Sequence, residues 1–386
     1  MMTEKLFYQD GYMKTFTATV TACEQSGDIY KVVLDRTAFF PEGGGQSGDI
    51  GTLNGVHVFD THEKDGVIYH YTKEPIAVGE TVEGALDWEE RFVRMQQHSG
   101  EHIVSGLIHK MYGYDNVGFH LGKDDVTMDF NGVFTKEQMK EIEYLANEAV
   151  FRNIEIQTLC PTSEELEKIT YRSKIEIEGQ VRIILIEGYD CCACCAPHMH
   201  RTGEIGLIKL TNIQNYKGGV RISMLSGFRA LADYSEKETS VKNIAVSFSA
   251  KEHEVYDMVE HLKEEKQSLK QEIGKLQMQL LTYKAKEITE GEKAVCLIER
   301  GLSGNEPREL VNLVLERKVG ICAVFTGNDE EGYRYVIGSK TMDTREAAKL
   351  MNGKFHGRGG GKPEMVQGSV TGIGEEIYNY FICNFS

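Results

Sequence analysis

The sequence predicts an α+β fold built from four successive segments. Residues 1–80 contain short runs of alternating apolar and polar side chains, which indicate a small β-barrel or sandwich. Residues 81–235 combine helical and strand patterns, residues 236–290 carry a heptad repeat, and residues 291–386 alternate strands with helices. We therefore expect an N-terminal small β-barrel, an α+β domain, coiled-coil helices and a C-terminal α/β domain.

The strands expected in the barrel are FTATVTACEQ, YKVVLDRT and VHVFDTHEKDGVIYHYT, which are rich in β-branched residues. In the second segment, apolar side chains recur at helical spacing from Asp87 onward, and Gly113 is a suitable C-terminal cap. Thr135 is a candidate N-cap for a second helix. The strand patterns VRIILIEG, IGLIKLTNIQNY and GVRISMLSG follow, so helices and strands share this domain.

Residues 250–286 follow a heptad repeat that proline does not interrupt. One seam consists of Val255, Leu262, Leu269, Leu276 and Tyr283, and the other of Val259, Lys266, Ile273 and Leu280. The pattern predicts a coiled coil or helical hairpin of about four heptads, which would join two copies of the chain as a homodimer. The alternative is one long amphipathic helix that packs against its own chain.

The last segment has strand patterns in AVCLIE, GICAVFTG, YRYVIGS and GSVTG, and helical patterns in REAAKLMNG and GEEIYNYFIC. Within it lies the glycine-rich sequence 357-GRGGGKPEMVQG, which contains Arg358 and Lys362. These residues suit a contact between the backbone and a phosphate, and they suit an ordinary turn equally well.

Composition and charge narrow the class of protein. The chain is 41% hydrophobic and 26% charged, and its polar N-terminus does not resemble a targeting segment. Apolar runs of about 18 residues are absent from the sequence, so we expect no membrane span. Nine cysteines, five of them scattered, fit reduced thiols and a cytoplasmic location. The net charge of −16 disfavours a broad basic surface for nucleic acid, although a local basic groove is compatible with it.

Two pairs of potential metal ligands occur in the second segment. His98 and His102 are four residues apart, so both imidazoles lie on one face of the predicted helix. Cys194 and His198 form a second pair within 189-YDCCACCAPHMHRTGEIG-206. Three imidazoles and one thiolate make a tetrahedral set that is typical of zinc, so the sequence predicts a Zn²⁺ site.

Other interpretations of these residues remain open. The sequence HSGEH at 98–102 also matches the HxxEH motif of zinc peptidases, in which Glu101 would activate a water molecule. The cysteine run could hold a structural zinc by itself, using Cys191, Cys194 and their neighbours. The CxxC spacings within the run could also form a redox pair.

The sequence 39-FFPEGGGQSGDIG-51 places three consecutive glycines before Gln46. Glycine allows the backbone to approach a ligand closely and to adopt positive φ. The sequence is not a P-loop, because no Lys-Ser/Thr pair follows the glycines. Gln46 could bond a sugar hydroxyl or a carbonyl, or it could cap a tight hairpin.

Together these motifs resemble the editing module of alanyl-tRNA synthetases. The matching motifs are HxxxH at 98–102, CxxxH at 194–198, RTGEIG at 201–206 and LDRTAFFPEGGGQSGDIG at 34–51, with DFNG at 129–132, EYLANEAVFRNIEI at 143–156 and KGGVRISMLSG at 217–227. The heptad segment and GRGGGKPEMVQG resemble the C-terminal DHH-associated domain of the synthetase, whereas its ATP-binding aminoacylation domain has no counterpart in the sequence. The chain therefore resembles a free-standing alanyl-tRNA editing protein of the long AlaX type.

The resemblance implies a zinc-dependent hydrolase that deacylates tRNA(Ala) mischarged with serine or glycine. It makes Thr37 and Gln46 candidates for contacting the amino acid or the 3′ end, and Glu101 a candidate base or supporting residue. One departure concerns the ligand loop, because the synthetase commonly has Cys-Gly-Gly-Thr-His where residues 194–198 are Cys-Cys-Ala-Pro-His. The editing module of threonyl-tRNA synthetases shares the ligand pattern, but it would bring neither the GGGQ loop nor this C-terminal domain.

Contacts with tRNA phosphates must come from a minority of the surface, because the net charge is −16. The candidates are Lys209, Lys217, Arg221, Arg358 and Lys362. A non-catalytic tRNA-binding or dimerisation protein remains an alternative, and it would show no metal-dependent turnover. A zinc peptidase of the HxxEH type is the other alternative.

Overall fold

The computed structural model describes residues 2–122, 125–173 and 181–386. Contacts divide the chain into two compact units, Met1–Asn243 and Ile244–Ser386. Both units mix helices with strands, which confirms the α+β class. The four predicted segments are finer than this division, and their boundaries stay predictions. Within the described ranges, no helix combines the length and the apolar character that crossing a membrane requires.

The first unit begins with a closed β-barrel. Its strands and the two short strands beside it are β1 (Glu4–Lys5), β2 (Thr15–Ser26), β3 (Ile29–Leu34), β4 (Arg36–Thr37), β5 (Gly51–Leu53), β6 (Val56–Lys64), β7 (Val67–Thr72) and β8 (Thr81–Leu86). The barrel closes in the order β2-β3-β7-β6-β5-β8 with antiparallel pairs throughout, while β1 and β4 pair in parallel outside it. Alternate side chains point inward, so Val20, Val32 and Val58 fill a closed core.

The remainder of the first unit surrounds one long helix. Its elements are α1 (Trp88–Tyr112), β9 (Asn116–Leu121), β10 (Val126–Phe130), α2 (Lys136–Arg152), β11 (Ile156–Leu159), α3 (Ser163–Leu166), β12 (Ile183–Ile186), β13 (Asp190–Ala193), β14 (Ile208–Tyr216), β15 (Gly219–Ser226) and α4 (Gly227–Ser247). One sheet has the order β14-β15-β10-β9 and the other β11-β12-β13. Buried apolar residues of α1, α2 and the larger sheet form a single core cluster.

Both predicted helix caps are confirmed. The helix α1 ends at Gly113, whose φ of 69° places it in the left-handed conformation that suits glycine. Thr135 caps α2, because its side chain accepts a hydrogen bond from the backbone N–H of Gln138. The Gln138 side chain in turn accepts a hydrogen bond from the backbone N–H of Thr135. The helix α4 begins before the predicted helical segment 236–290, and its first turns were not predicted from the sequence.

The second unit contains a long helix followed by a five-stranded sheet. Its elements are α5 (Val255–Glu287), β16 (Ala294–Glu299), α6 (Glu306–Leu315), β17 (Ile321–Asn328), β18 (Gly332–Gly338), α7 (Thr344–Lys354), β19 (Arg358–Lys362), β20 (Met365–Val370) and α8 (Gly374–Phe385). The sheet order is β16-β17-β18-β20-β19, with β16 and β17 parallel and the other pairs antiparallel.

Two predictions for this unit need correction. The sequence 357-GRGGGKPEMVQG is expected to form a turn, but Gly359, Gly360 and Gly361 lie in the edge strand β19, which pairs with β20. Glycine has a low strand propensity, so tertiary contacts, the pairing with β20 and the packing against α7, keep this segment extended. The short helix α6 was also missed, and Pro307 stands in its first turn, where proline is tolerated.

The predicted heptad segment forms the continuous 33-residue helix α5. Its seam residues are largely exposed, with Leu262 45%, Leu269 51% and Leu276 58% accessible. Only the last turns pack into the unit, through Leu281 and Ala285. Over most of its length, α5 therefore does not pack its apolar seam against its own chain. The alternative of an amphipathic helix lying on its own chain does not hold for that part of α5.

Candidate metal centre

Four potential metal ligands come together in the first unit. His98 and His102 project from the same face of α1, and Cys194 and His198 lie on the loop that follows β13. One side-chain nitrogen or sulfur atom of each lies within 4.8 Å of the others. The Nε2 atom of His98 is 3.5 Å from Sγ of Cys194. The two pairs that the sequence predicted as ligands thus form one cluster.

Asp190 fixes the orientation of His102. Its Oδ2 atom accepts a hydrogen bond from Nδ1 of His102 at 2.8 Å, and both its oxygens accept bonds from Arg172 at 2.8 and 2.9 Å. The close approach depends on Gly106, because a Cβ there would lie 2.3 Å from the Tyr189 carbonyl oxygen. A ligating imidazole commonly has such a carboxylate on its second nitrogen. Neither Asp190 nor Arg172 was predicted from the sequence, although Asp190 stands four residues before Cys194.

Gln46 holds His98 in the same way. Nδ1 of His98 donates to Oε1 of Gln46 at 3.0 Å. The GGGQ sequence forms a tight turn in which Gly43 bridges Gln46, and Gly45 has a φ of 83°. The predicted hairpin turn is present, and it places Gln46 beside the candidate ligand His98. A contact of Gln46 with a sugar hydroxyl or a carbonyl stays a prediction.

The third imidazole has a weaker partner. Nδ1 of His198 lies 3.4 Å from Oγ of Ser99, which also accepts a hydrogen bond from the backbone N–H of Met199 at 3.0 Å. Ser99 therefore ties α1 to the ligand loop. It follows His98 directly in the sequence, so α1 supplies two ligands and the partner of a third.

The electrostatics of the cluster favour a thiolate. Burial alone would raise the pKa of Cys194, but the neighbouring imidazoles of His98 and His198 lower it well below its usual value. Burial lowers the pKa of His198 to about 3, so this imidazole is neutral. Burial also opposes charge on His102, yet the hydrogen bond that His102 donates to Asp190 raises its pKa to about 10. By contrast, burial raises the pKa of Cys192 to about 12, which keeps that thiol protonated.

The donor atoms suit a zinc ion. The Nε2 atoms of His102 and His198 are buried and have no hydrogen-bond partner among the described residues. A buried nitrogen without a partner is unfavourable unless it binds something, and each ring has its Nδ1 atom against a protein group. Imidazole nitrogens and a thiolate are the ligands that zinc prefers, and zinc binding would displace the proton that His102 holds in its absence. The residues present therefore fit the metal that the sequence predicted.

The placement of the other cysteines bears on the alternative interpretations. Within the described ranges, the two candidate ligand clusters include Cys194 and Cys192, which lies with His102 and Asp190, but neither Cys191 nor Cys195. Neither of these two clusters is therefore a zinc site built by the cysteine run alone. Cys195 is exposed next to the ligand Cys194.

Glu101 is buried on α1 between the two candidate ligands of the helix, and two of its hydrogen bonds join residues outside the cluster. Its Oε1 atom accepts hydrogen bonds from Ser105 at 2.7 Å and from Asn116 at 2.6 Å. The carboxylate is in neither candidate ligand cluster. This arrangement gives no support to the HxxEH interpretation, in which Glu101 would face the metal.

Thr37 is fully buried beside the barrel and contacts His70. Because Nδ1 of His70 faces the Val32 carbonyl, it must donate there, and Nε2 accepts from the Thr37 hydroxyl at 2.8 Å. Burial lowers the pKa of His70 to about 4, so the ring is neutral and can accept this bond. The Thr37 oxygen also accepts from the backbone N–H of Phe39, which leaves it one lone pair.

The predicted tRNA-binding cations differ in whether their side chains already contact other groups of the protein. Lys209 forms a salt bridge with Glu143, and Arg221 forms two hydrogen bonds with Asp129. Lys217 and Arg221 lie against the ring of Tyr216, at 5.0 and 3.9 Å from its centroid. In the second unit, Arg358 and Lys362 are exposed on the edge strand β19.

Comparison with known proteins shows which proteins the chain resembles. The family described as threonyl and alanyl tRNA synthetase second additional domain matches residues 181–223, which include Cys194 and His198, and the family of class II (A) tRNA synthetases matches residues 3–90. The alanyl-tRNA editing protein AlaX-L of Pyrococcus horikoshii is 27% identical over 98% of this chain and 97% of its own length. The chain resembles the long alanyl-tRNA editing proteins.

Alanine–tRNA ligases are similar over only part of their length. The ligase of Thermococcus kodakarensis is 31% identical over 95% of this chain but 42% of the ligase, and that of Ignicoccus hospitalis is 28% identical over 80% of the chain and 37% of the ligase. The chain therefore spans about two fifths of these ligases and nearly the whole of AlaX-L. The resemblance predicted from the motifs is confirmed.

Proposed function

We propose that the chain is a free-standing alanyl-tRNA editing enzyme. It would hydrolyse the ester between a wrong amino acid, serine or glycine, and the 3′ adenosine of tRNA(Ala). The observation that carries the proposal is the buried cluster of His98, His102, Cys194 and His198, in a chain similar over its whole length to an alanyl-tRNA editing protein. The similarity indicates the substrate class, and the cluster provides a site for the chemistry.

The metal would be Zn²⁺ held by these four residues. A bound zinc ion acts as a Lewis acid that polarises a carbonyl or lowers the pKa of water. The protein's contribution is to keep each Nε2 atom directed into the cluster, through Gln46 behind His98 and Asp190 behind His102. Each partner accepts a hydrogen bond from Nδ1–H and thereby fixes the tautomer of the ring. The unprotonated Nε2 atom is then free to bind the metal.

Gln46 would also contact the substrate. Its Oε1 atom is used by His98, whereas its buried Nε2 atom has no partner among the described residues. An amide N–H group beside the cluster can donate to the ester carbonyl oxygen or to a ribose hydroxyl. A preorganised donor of this kind stabilises the charge that develops on the carbonyl oxygen during ester hydrolysis.

Selection against alanine requires recognition of a single hydroxyl. A site that hydrogen-bonds the serine hydroxyl rejects alanine, because its buried polar atoms would otherwise stay unpaired. Thr37 is our candidate for this role, because its oxygen retains one lone pair after its bonds to His70 and Phe39. We assign Glu101 to structural support of α1 rather than to proton transfer, because Ser105 and Asn116 both donate hydrogen bonds to its carboxylate.

Binding of tRNA would use cations from both units. Lys217, Arg358 and Lys362 are the stronger candidates, because Lys209 and Arg221 already pair with carboxylates. We further propose a cytoplasmic homodimer that forms through α5, whose apolar seam is exposed in the single chain.

The test is deacylation of Ser-tRNA(Ala) and Ala-tRNA(Ala) by the wild type and by Cys194→Ala, with zinc content measured in parallel. We expect rapid loss of serine only, and loss of both activity and zinc in the variant. Cys195→Ser is the matched control, because it removes the neighbouring exposed thiol and should change neither. Zinc binding without hydrolysis of either ester would favour a non-catalytic tRNA-binding protein. Peptide cleavage that survives Cys194→Ala but not Glu101→Gln would favour the peptidase.

A further inference from the structure

The ligand loop, residues 194–198, lies against the first residues of the chain. Phe7 is almost completely buried and shares a core cluster with Phe40 and the fully buried Ala196. A Cβ on Gly11 would lie 3.4 Å from Cβ of Pro197, so the backbone of Gly11 is in close contact with that proline ring. The side chains between the two loop ligands therefore pack on residues 7–12, which we call the N-terminal segment.

The N-terminal segment continues past the second loop ligand. The hydroxyl oxygen of Tyr12 lies 3.1 Å from Sδ of Met199 and accepts a hydrogen bond from the backbone N–H of His200 at 3.3 Å. The ring of Tyr12 also stacks on the imidazole of His200, with 4.0 Å between the ring centroids. Met199 and His200 directly follow His198, so contacts with the N-terminal segment occur on both sides of this ligand in the sequence.

Arg182 holds the other end of the loop through its backbone. Its Nη1 group donates hydrogen bonds to the carbonyl oxygens of Cys194 at 2.9 Å and Ala196 at 2.8 Å. The backbone N–H of Cys194 donates in turn to the carbonyl oxygen of Arg182 at 3.0 Å. One residue thus binds both backbone polar groups of a candidate ligand. The guanidinium lies 5.6 Å from the ring centroid of Tyr8, which belongs to the N-terminal segment.

These contacts matter because the four ligands have different supports. His98 and His102 are fixed by the helix α1, whereas Cys194 and His198 lie on a loop. The partner of the His198 ring is also the weakest, since Oγ of Ser99 is 3.4 Å from its Nδ1 atom. A loop that is ordered before a metal binds loses less conformational entropy on binding, which raises the affinity.

We infer that Arg182 and the N-terminal segment are positioning elements of the metal centre. They keep Cys194 and His198 directed at the histidines of α1, and they thereby set the affinity for the metal and the geometry of its ligands. The inference rests on the zinc site of the proposed function, but it does not depend on tRNA as the substrate.

The first experiment measures zinc affinity of the full chain by competition with a chelator. Arg182→Gln should lower the affinity about 10- to 100-fold, because it removes the charged donor that holds two loop carbonyls. Arg182→Lys keeps a cationic donor without the planar guanidinium, so it should recover part of this loss. Arg152→Gln, which removes a surface guanidinium paired with Glu148, is the matched control and should keep the wild-type affinity.

A second variant tests the packing of the loop without removing a charge. Ala196→Gly deletes one buried methyl group beside Phe7 and gives the loop backbone more freedom, so zinc affinity should fall roughly three- to tenfold. The visible absorption of Co²⁺ bound in place of zinc provides a second readout, because it depends on the ligand geometry. Both Arg182→Gln and Ala196→Gly should alter this spectrum, whereas a purely structural role would lower the melting temperature of the metal-free chain and leave the spectrum unchanged.

The results also separate this inference from the proposed function. Wild-type zinc affinity and an unchanged cobalt spectrum in both Arg182→Gln and Ala196→Gly would overturn the positioning role, even if the wild type deacylates Ser-tRNA(Ala). Weakened zinc binding in these variants, in a wild type that hydrolyses neither Ser-tRNA(Ala) nor Ala-tRNA(Ala), would support the positioning role and contradict the proposed reaction.

Discussion

The Nδ1 atom of His102 lies 2.8 Å from Oδ2 of Asp190, although 88 residues separate them in the chain. Asp190 is held in turn by Arg172, and the hydrogen bonds from His102 and Arg172 keep its pKa below the usual value although burial opposes this. The carboxylate therefore stays ionised and directs the imidazole. Because this contact joins α1 to the strand that precedes Cys194, it couples the two halves of the ligand set.

Replacing Asp190 should weaken metal binding. Asp190→Asn removes the charge behind His102, and loss of such a partner typically lowers metal affinity by about 10- to 100-fold. Zinc affinity measured by competition with a chelator checks this without relying on activity. Asp129→Asn, which removes the surface partner of Arg221, is the control and should keep the affinity. Equal affinity in the wild type and Asp190→Asn would show that the carboxylate does not support the ligand.

The two functions proposed for Gln46, holding His98 and donating to the substrate, should be separable by mutation. Gln46→Glu keeps an acceptor for Nδ1 of His98 but lacks the N–H donor, so zinc should stay bound while the rate of serine deacylation falls about 100- to 1,000-fold. Gln46→Leu lacks both groups, so it should lose the rate and also bind zinc more weakly. Single-turnover deacylation and zinc content are the measurements. A Gln46→Glu variant with the wild-type rate would exclude the donor role.

Thr37 should affect selectivity more than zinc binding. Thr37→Val removes the hydroxyl that His70 and Phe39 hold in place, so the preference for Ser-tRNA(Ala) over Ala-tRNA(Ala) should fall. The variant should also be less stable by about 1 to 3 kcal/mol, because Nε2 of His70 is left buried without a donor. Thr37→Ser keeps the hydroxyl and serves as the control. Full preference retained in Thr37→Val would remove Thr37 from this role.

The exposed seam of α5 should determine the oligomeric state. Light scattering should give a dimer for the wild type and a mass near 43.4 kDa for Leu269→Lys/Leu276→Lys, because lysines at both positions place charges in the seam. Gln271→Lys/Gln277→Lys adds the same charge outside the seam and should remain dimeric. A monomeric wild type would refute dimerisation through α5.

The sequence by itself determined the features that depend on residues close together in the chain. The caps at Gly113 and Thr135, the pair His98 and His102 on one helix face, and the uninterrupted helix α5 follow from local spacing and local hydrogen bonds. The order of the motifs also identified the resemblance, because a motif is itself a local pattern.

Only the tertiary structure decided which distant groups meet. The contact of His98 with Gln46 spans 52 residues, and the placement of Arg334, Ser369 and Arg358 side by side depends on the register of β18, β20 and β19. The same holds for ion pairs, because folding pairs Lys209 and Arg221 with carboxylates, whereas Arg358 has no carboxylate partner among the described residues. Local propensity carries no information on strand register or on long-range ion pairs. These are fixed by burial of the apolar faces, which brings the polar groups at their edges together.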